Sequence, residues 1–389
     1  VSFVLPKPLE ETQTAHVKML SPRQCKRLDT ETVTRRKTET VEELKNTAFH
    51  TIPSLLKPYT TPEYYQQKID EIVRQRTAHW VEQAGHSPAL TEWLRLSADV
   101  PEVSTGPEHY GGDMYAETQR YAASAVRLAL WEEFDVIHAH DWMTYPAGIA
   151  VAAVTGKPLV VHVHSTEFDR SGENVNQMIY DLERQGMQAA DKIIAVSHLT
   201  RNIIISRYGV LGEKVEVIYN GVEQNGESRM AFSKVGIRND EKIVLFLGRI
   251  TMQKGPEYFL MAARKVLEEV ENVKFVMAGT GDMMHRIIEM AARMGIGHKV
   301  LFTGFLRGED VKKVYRMADL YVMPSVSEPF GIAPLEALNH DVPVLISKQS
   351  GVAEVLTHVL KVDFWDVNEM ANKIIAVLKY PPLQLTLRE

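Results

Sequence analysis

The chain has 389 residues, of which 45% are hydrophobic and 24% charged, so it is long enough for two or three globular domains and too apolar to be disordered. Its 44 basic and 50 acidic side chains give a net charge of −6. This charge argues against non-specific binding to nucleic acid or to an anionic membrane, because both require a dense basic surface. The lone Cys25 excludes an internal disulfide framework and a cysteine-based zinc site, and it fits a reducing cytoplasm. Apolar runs of about eighteen residues do not occur, so we expect no membrane-spanning helix and a cytoplasmic protein.

The first part of the chain contains two segments that differ in composition. Residues 1–6 read as a buried strand, whereas residues 7–130 are polar and helix-prone with few strand signals. We therefore expect residues 7–130 to form a mainly helical insertion in the first domain.

From residue 134 onward, short apolar runs alternate with helical patterns. The predicted strands are 134–138, 159–163, 192–196 and 215–218, and the predicted helices between them are 145–154, 174–190 and a third that runs from its cap, Ser197, to Tyr208. This alternation is typical of βαβ units in a parallel sheet.

A second alternating run follows a polar, glycine-containing stretch at 221–240, which we interpret as a linker between domains 1–220 and 241–389. Its predicted strands are 242–247, 273–278, 300–302, 320–323 and 342–346, with helices between them, including one at 256–270 that begins at Pro256 and a last one near 366–379. Both halves are thus Rossmann-like, and ligands of such sheets bind beyond the carboxyl ends of the strands. Two such halves that face each other would form a cleft.

The segment 328–336 follows a predicted strand and opens a helix. Gly331 lets the backbone approach a ligand closely, and the N–H groups of a helix start attract phosphate. Glu328 precedes the helix and Glu336 lies about two turns into it, so the two carboxylates could bind different parts of one extended ligand. The alternative is a structural turn at Gly331 and an exposed helical position for Glu336.

The loop 248–256 also joins the carboxyl end of a strand to a helix. Arg249 and Lys254 lie five residues apart in it and could converge on a diphosphate, with the guanidinium binding in bidentate fashion. The alternative is a solvated loop with two cations.

Histidines fall at the ends of two predicted strands: His138, His140, His162 and His164. Spacing by two places both members of each pair on one side of its strand. A metal site is one interpretation, but no helix-borne carboxylate completes a convincing ligand set, so we expect no metal. We expect His164 to face the ligand cleft, and His138 and His162 to be hydrogen-bonded histidines of the core.

The loop Gly279-Thr280-Gly281-Asp282 lacks the third glycine of a dinucleotide fingerprint, and no acidic residue ends a following strand at the required spacing. An NAD-dependent dehydrogenase is therefore excluded. The sequence also contains no P-loop and no Gly-x-Ser-x-Gly nucleophile elbow.

Taken together, these motifs resemble retaining nucleotide-sugar glycosyltransferases of the GT-B fold, and the glycogen and starch synthases among them. Residues 328–336 are similar to the Glu-x7-Glu motif of that family, and Gly248-Arg249 with Lys254-Gly255 is similar to its diphosphate loop. Residues 134–142 resemble a strand and loop of the synthases, and Tyr219-Asn220-Gly221-Val222 resembles the hinge segment. The resemblance spans about residues 134–380, and residues 7–130 resemble an insertion of a glycogen-synthase-like subgroup.

The resemblance implies an α/β fold of the GT-B type, with two Rossmann-like domains whose parallel sheets face each other across a cleft and a mainly helical polar insertion in the first. It implies that Arg249 and Lys254 neutralise the diphosphate, that Glu328 holds sugar hydroxyls and that Glu336 binds the ribose. His164 would support the oxocarbenium-like centre. Further donor contacts are implied at Gly248, Asn220, Phe330, Gly331 and Ile332, and acceptor-side positions at Asp141, His140 and Glu167. Neither a cofactor nor a metal ion is implied.

The sequence departs from the family at three places. The family opens with a strand and a Gly-rich loop before the strand that residues 1–5 resemble, and it ends with a helix that returns to the first domain. We find neither here and expect no helix after Tyr380, so the chain reads as a fragment or a processed form. Asn339-His340-Asp341 stands where many relatives have a small residue and a glycine.

Three functions remain open at this point. The first is transfer of glucose from a nucleoside-diphosphate sugar to an α-glucan. The second is transfer to sucrose, trehalose or a lipid-linked acceptor, although no basic amphipathic helix favours the lipid. The third is a non-catalytic nucleotide- or sugar-binding scaffold. The sequence does not distinguish a uridine from an adenosine donor, and it does not determine the oligomeric state.

Overall fold

The computed structural model describes the backbone of residues 2–5 and 48–51, and residues 114–222 and 241–387 in full. Most of the predicted insertion 7–130 and almost all of the predicted linker 221–240 lie outside these described residues. Contacts divide the chain into two compact units, one of Val1–Val161 with Leu182–Lys192 and the other of His162–Asp181 with Ile193–Glu389. The domain limits inferred from the sequence stay a prediction.

Two parallel strands come first in the chain. Strand β1 (Ser2–Leu5) pairs with β2 (Ala48–Thr51), with Ser2 opposite Ala48 and Leu5 opposite Thr51. The prediction of a strand near residues 1–6 is confirmed for the described residues.

The next sheet has four strands in the order β3-β4-β5-β6: Ile137–His140, Leu159–Val163, Lys192–Ala195 and Val215–Val217. The associated helices are α1 (Met114–Ala129), α2 (Tyr145–Thr155), α3 (Glu167–Ser171), α4 (Gln177–Ala189) and α5 (His198–Tyr208). The predicted cap of α5 is confirmed, because Ser197 accepts a hydrogen bond from the N–H of Thr200. Such a cap typically stabilises a helix by ~1 kcal/mol.

Two elements of this region differ from the prediction. Strand β3 begins three residues later than expected, because its ladder starts where the N–H of Ile137 donates to the carbonyl of Pro158. The helix predicted at 174–190 begins at Gln177, and the separate short helix α3 precedes it. The expectation missed α3 because a five-residue helix is too short to show a hydrophobic period.

The largest sheet has six parallel strands in the order β12-β11-β10-β7-β8-β9. In chain order, β7 to β12 are Lys242–Leu247, Val273–Ala278, Val300–Gly304, Leu320–Met323, Val344–Ser347 and Leu360–Val362. Helices α6 to α11 are Pro256–Leu267, Met284–Arg293, Glu309–Met317, Ala333–Asn339, Val367–Lys379 and Pro381–Thr386. The central strands are continuously apolar, as expected when helices cover both faces of a parallel sheet.

Each face of this sheet has its own core. Phe259, Phe275 and Ile374 are fully buried on one face, and Tyr321 and Val344 belong to the cluster on the other. Burial of a side chain such as Phe259 stabilises the fold by roughly 1.5–3 kcal/mol. The two cores hold the carboxyl ends of the central strands in a fixed arrangement.

Two of the last three elements, β12 and α11, were not predicted. Strand β12 has three residues with a lysine in the middle, which is too short to show a strand pattern. The prediction that no helix follows Tyr380 is wrong, because α11 begins at Pro381, a residue suited to a first helical turn. Leu383 and Leu387 anchor this segment against the core. None of the helices in residues 114–222 and 241–387 combines the length and the apolar character that a membrane span needs.

Candidate active site

A pocket of about 210 Å³ opens at the carboxyl ends of β7 and β10. This is the edge at which ligands of parallel α/β sheets bind. The pocket brings together six of the residues singled out in the sequence: Gly248, Arg249, Lys254, Glu328, Gly331 and Ile332. They come from two loops that are about 80 residues apart in the chain.

The first loop leaves β7 and makes a short 3₁₀ helix, Met252–Lys254, before Pro256 opens α6. Gly255 between them has a φ of 64°, and a Cβ there would lie 2.1 Å from the carbonyl oxygen of Pro324. Any other residue would therefore clash with the segment that leads to Glu328, so this glycine lets the two loops approach.

The loop after β8 supports the first loop from the other side. The N–H of Ile250 donates to the carbonyl of Thr280 at 3.0 Å, and the N–H of Met283 donates to the carbonyl of Ile250 at 3.1 Å. The sequence analysis rejected a dinucleotide-binding loop at residues 279–282. In the structure, this loop and Met283 hydrogen-bond to the backbone of Ile250, the residue after Arg249.

Lys254 and Glu328 form an ion pair in the pocket. The Nζ of Lys254 lies 2.5 Å from Oε2 of Glu328, and the hydroxyl of Ser325 donates to the same oxygen at 3.2 Å. The Glu328 side chain is 7% exposed and that of Lys254 is 22% exposed. Two residues expected to contact different parts of a ligand are thus paired with each other.

Hydrogen bonds on both sides fix the backbone around Glu328. On one side, the N–H of Val326 donates to the carbonyl of Gln253 at 2.9 Å. On the other, the N–H of Glu328 donates to the carbonyl of Gln349 at 3.0 Å, and the N–H of Gly351 donates to the carbonyl of Glu328 at 2.9 Å. These hydrogen bonds hold the backbone of Glu328 in place, and with it the position of the carboxylate.

Gly331 follows in the left-handed region, with a φ of 100°. A Cβ at this position would lie 3.1 Å from both Met323 Cε and Glu328 Cγ. Within the described residues we find no hydrogen-bond partner for the backbone N–H of Gly331 or Ile332, and both residues line the pocket. Phe330, in contrast, is buried, and its carbonyl accepts from the N–H of Val352 at 2.7 Å.

Glu336 lies in the first turn of α9, because the helix begins only at Ala333. The expectation that it lies about two turns into the helix is wrong. Its carboxylate accepts a hydrogen bond of 2.9 Å from the hydroxyl of Tyr315 on α8. Burial raises the pKa of Tyr315 far above its ordinary value, and Tyr321 and Glu336 raise it further, so the hydroxyl stays protonated and donates.

The histidine pairs lie as their spacing predicts. The rings of His138 and His140 are 4.3 Å apart, and those of His162 and His164 are stacked at 4.2 Å. His162 and His164 are half-buried. The prediction that His138 lies in the core is wrong, because Ala139 is the β3 residue that faces inward and His138 is exposed. His140 is exposed as well. The expectation that no metal is used stays a prediction.

The acceptor-side candidates differ in their surroundings. Asp141, directly after β3, has a φ of 56°, a conformation that is uncommon outside glycine and concentrated at functional sites. Glu167 is 1% exposed and accepts hydrogen bonds within its own loop, so the structure gives it a local structural role. Asn220 is half-buried, and the ring of its neighbour Tyr219 lies 6.0 Å from that of Phe330.

Three residues with evident roles around the site were not identified from the sequence: Tyr315, Asp169 and Ser327. The pattern Thr166-x-x-Asp169 is a capping-box signature and was available. Nothing in the sequence indicates that Ser327, 158 positions away, contacts Asp169.

Comparisons with known proteins show similarity to glycosyltransferases. The model of the family "Glycosyl transferases group 1" matches residues 228–389, and that of "Glycosyltransferase Family 4" matches residues 97–225. An uncharacterized glycosyltransferase of Methanocaldococcus jannaschii is 38% identical over 238 residues, which are 58% of this chain and 61% of that protein. The D-inositol 3-phosphate glycosyltransferase 1 of Catenulispora acidiphila is 28% identical over 57% of each chain. The chain thus spans about three fifths of the length of these two relatives.

A glycogen synthase of Mycobacterium tuberculosis is 26% identical over 305 residues, 74% of this chain and 72% of that protein. Among solved structures, the sucrose-phosphate synthase from Thermosynechococcus elongatus has a TM-score of 0.64 at 20% identity and covers 75% of each chain. HepE of Anabaena in complex with UDP has a TM-score of 0.59 at 22% identity and covers 69% of this chain and 75% of its own.

These structural likenesses establish the GT-B fold. The two family models match successive parts of the chain, which is therefore similar in sequence to glycosyltransferases of these two families.

Proposed function

We propose that this chain is a glycosyltransferase that moves glucose from a nucleoside-diphosphate sugar to an α-glucan or a related sugar acceptor, with retention of the α-configuration and without a metal ion. The observation that carries the proposal is the meeting of Arg249, Lys254 and Glu328 in one pocket at the carboxyl ends of β7 and β10. The glycogen synthase relative and the HepE complexes with UDP and UDP-glucose support the choice of substrates.

The chemistry rests on stabilising a leaving group. As the bond between C1 of the sugar and the β-phosphate oxygen breaks, negative charge accumulates on the diphosphate. Arg249 and Lys254 would stabilise this charge, together with the N–H groups of Gly331 and Ile332. The acceptor hydroxyl forms the new bond to C1 on the same face, and its proton passes to the departing phosphate oxygen. Neither Glu328 nor another carboxylate has to act as the base.

Binding of the donor would have to break the Lys254–Glu328 ion pair. Lys254 would leave Glu328 for the diphosphate, and Glu328 would then accept hydrogen bonds from the sugar hydroxyls. Each side chain compensates the charge of the other until the donor replaces both interactions, so the exchange avoids leaving a buried charge unpaired. The two cations supply the charge compensation for which other transferases use a metal ion.

Other residues have supporting roles in this proposal. Glu336 would bind the ribose, Asn220, Gly248 and the backbone of Phe330 would contact the donor, and His164 would support the reacting sugar carbon. His140, Asp141 and Glu167 are proposed for the acceptor side, where Asp141 has the conformation most suggestive of a ligand contact.

The test is transfer of labelled glucose from UDP-glucose or ADP-glucose to soluble α-glucan by the purified chain. We expect incorporation with one of the two donors, and a loss of about 100-fold or more in kcat for Lys254→Ala, the size seen when one group that stabilises transition-state charge is removed. Lys265→Ala, on the exposed face of α6, removes a lysine outside the pocket and should leave activity unchanged. A Lys254→Ala variant within twofold of the parent would exclude the proposed role.

A second candidate is transfer to a small acceptor, favoured by relatives named D-inositol 3-phosphate glycosyltransferase. Incorporation into inositol 3-phosphate and not into glucan would select it. The third candidate, a non-catalytic scaffold, predicts that nucleotides raise the melting temperature, as any ligand of the folded state does, while no sugar is transferred to any acceptor.

A further inference from the structure

We propose that Asp169 is a positioning residue that holds the His164 loop against the loop of Glu328 through Ser327. This inference rests on the proposed function, because it concerns where the reacting sugar is held. It assigns a role to a carboxylate that contacts no proposed substrate.

Asp169 is 2% exposed, and both of its oxygens are occupied. Oδ2 accepts from the N–H and the hydroxyl of Thr166 at 2.8 and 2.7 Å, which is the capping box of α3. Oδ1 accepts from the hydroxyl of Ser327 at 2.6 Å. The local cap therefore needs one oxygen, and the other joins a segment 158 residues away.

The loop that Asp169 anchors is internally braced. Glu167 accepts from Arg170 Nε at 3.0 Å, from the Ser171 hydroxyl at 2.5 Å and from the N–H of Asn176 at 3.1 Å. Arg170 also donates to the hydroxyl of Ser165 at 2.7 Å. These bonds make residues 165–176 one stiff piece, which starts directly after His164.

Ser327, at the other end of the link, lies next to Glu328. Its own N–H and that of Val326 approach the carbonyl of Gln253 at 3.5 and 2.9 Å, and Gln253 precedes Lys254. Helix α3 also packs against the 3₁₀ helix Met252–Lys254. The charged hydrogen bond from Ser327 to Asp169, together with this packing, therefore connects the stiff His164 loop to the segment that holds the Lys254–Glu328 pair.

This arrangement predicts an effect on the reacting sugar more than on the nucleotide. Arg249, Glu336 and the N–H groups of Gly331 and Ile332 do not depend on the link, so the affinity for the nucleotide should not change. A small displacement of His164 relative to Glu328 should slow the chemical step, because misplacement of a positioned group by about 1 Å can cost as much as 100-fold in rate.

The experiment compares Ser327→Ala, which deletes the link and leaves the capping box intact, with Ser327→Thr, which keeps a hydroxyl. Ser124→Ala is the matched control, because it deletes one hydroxyl hydrogen bond within α1, to the carbonyl of Arg120. We expect kcat to fall about tenfold in Ser327→Ala with the KM for the donor within twofold, and to be restored in Ser327→Thr. Asp169→Asn combined with Ser327→Ala should lose no more than the worse single variant, because the bond that Ser327→Ala removes is one that Asp169→Asn already alters.

Hydrogen exchange provides a readout that does not need activity. The amides of residues 165–176 should exchange about tenfold faster in Ser327→Ala than in the parent and in Ser124→Ala. Unchanged exchange in that loop overturns the positioning role, and so does a Ser327→Thr variant as slow as Ser327→Ala. If the parent transfers no sugar at all, the proposed function fails and the exchange rates alone decide whether Asp169 positions the loop.

Discussion

Glu328 and Glu167 are both buried glutamates at the ends of parallel strands, yet their surroundings differ. Glu167 is bound by three donors from its own loop, whereas Glu328 is held by the side chains of Lys254, from another loop, and Ser325. The partners of Glu167 belong to the same segment, so their release for a ligand would loosen that segment. The principal partner of Glu328 is a flexible lysine that lines a pocket and can turn to an anion. Burial of a carboxylate therefore does not by itself identify a ligand-binding group; the origin and mobility of its partners do.

The largest effect that this comparison predicts is a loss of catalysis without loss of the fold. Glu328→Gln should lower kcat about 100-fold to 1000-fold, because the neutral amide no longer holds the sugar or balances Lys254. Its melting temperature should stay within a few degrees of the parent. Transfer kinetics and calorimetry measure both quantities. A strong drop in stability with normal activity would assign Glu328 to the fold.

The reverse result is expected for Glu167. Glu167→Gln leaves Arg170, whose side chain is 8% exposed, without its buried counter-charge, and should reduce the free energy of unfolding by about 3 kcal/mol. Denaturant unfolding measures this change. If Glu167→Gln is as stable as the parent but fails to transfer sugar, the proposal that it serves the acceptor gains over its structural role.

A smaller effect is expected at Tyr315, whose hydroxyl donates a hydrogen bond to the carboxylate of Glu336. Tyr315→Phe removes that hydrogen bond and should weaken nucleotide binding about fivefold, or roughly 1 kcal/mol. Calorimetric titration with UDP and ADP measures the affinity. Tyr180→Phe is the control, because it also deletes one hydroxyl bond, to the carbonyl of Arg207. Equal affinities of the parent, Tyr315→Phe and Tyr180→Phe would show that Glu336 does not bind the nucleotide.

The smallest effect concerns alkaline pH. Burial raises the pKa of Tyr321 well above its ordinary value of 10.0, and Glu328 and Glu336 raise it further. Because the folded pKa is above the unfolded one, the neutral hydroxyl contributes its full stability below pH 10, and this contribution is lost as the pH rises beyond that value. Unfolding free energies at pH 8 to 11 should therefore decline above pH 10, and less steeply in Tyr321→Phe. An identical pH dependence in the variant would show that Tyr321 does not titrate as described.

The strands of the large sheet were the easiest elements to predict. Strands β7, β8 and β10 lie where their apolar runs predict them, because both faces are buried and the whole run must be apolar. Strand β3 was placed three residues too early, since an apolar run such as Phe134 to Ile137 shows burial preference but not where the hydrogen-bonded ladder begins. Helix α11 was missed because two prolines read as a breaker, although they suit a first turn.

The site was predicted in part. Gly248, Arg249, Lys254, Glu328, Gly331 and Ile332 line one pocket because each follows the carboxyl end of a parallel strand, a position that topology makes common to all strands. The partners of these groups were not predictable. The pairing of Lys254 with Glu328 and of Glu336 with Tyr315 depends on side-chain directions across distant segments, for which a single sequence has no local signal.

The sequence by itself determined the class of the fold, the loops that carry charge to the end of the sheet and the helix cap at Ser197, because periodicity and capping act over a few residues. Only the tertiary structure decided that Lys254 pairs with Glu328 and that Ser327 bonds to Asp169 across 158 residues, since the fold brings these distant segments together. Local preferences are encoded in neighbouring residues, whereas a hydrogen bond between distant loops exists only once the intervening sheet has fixed both of its ends.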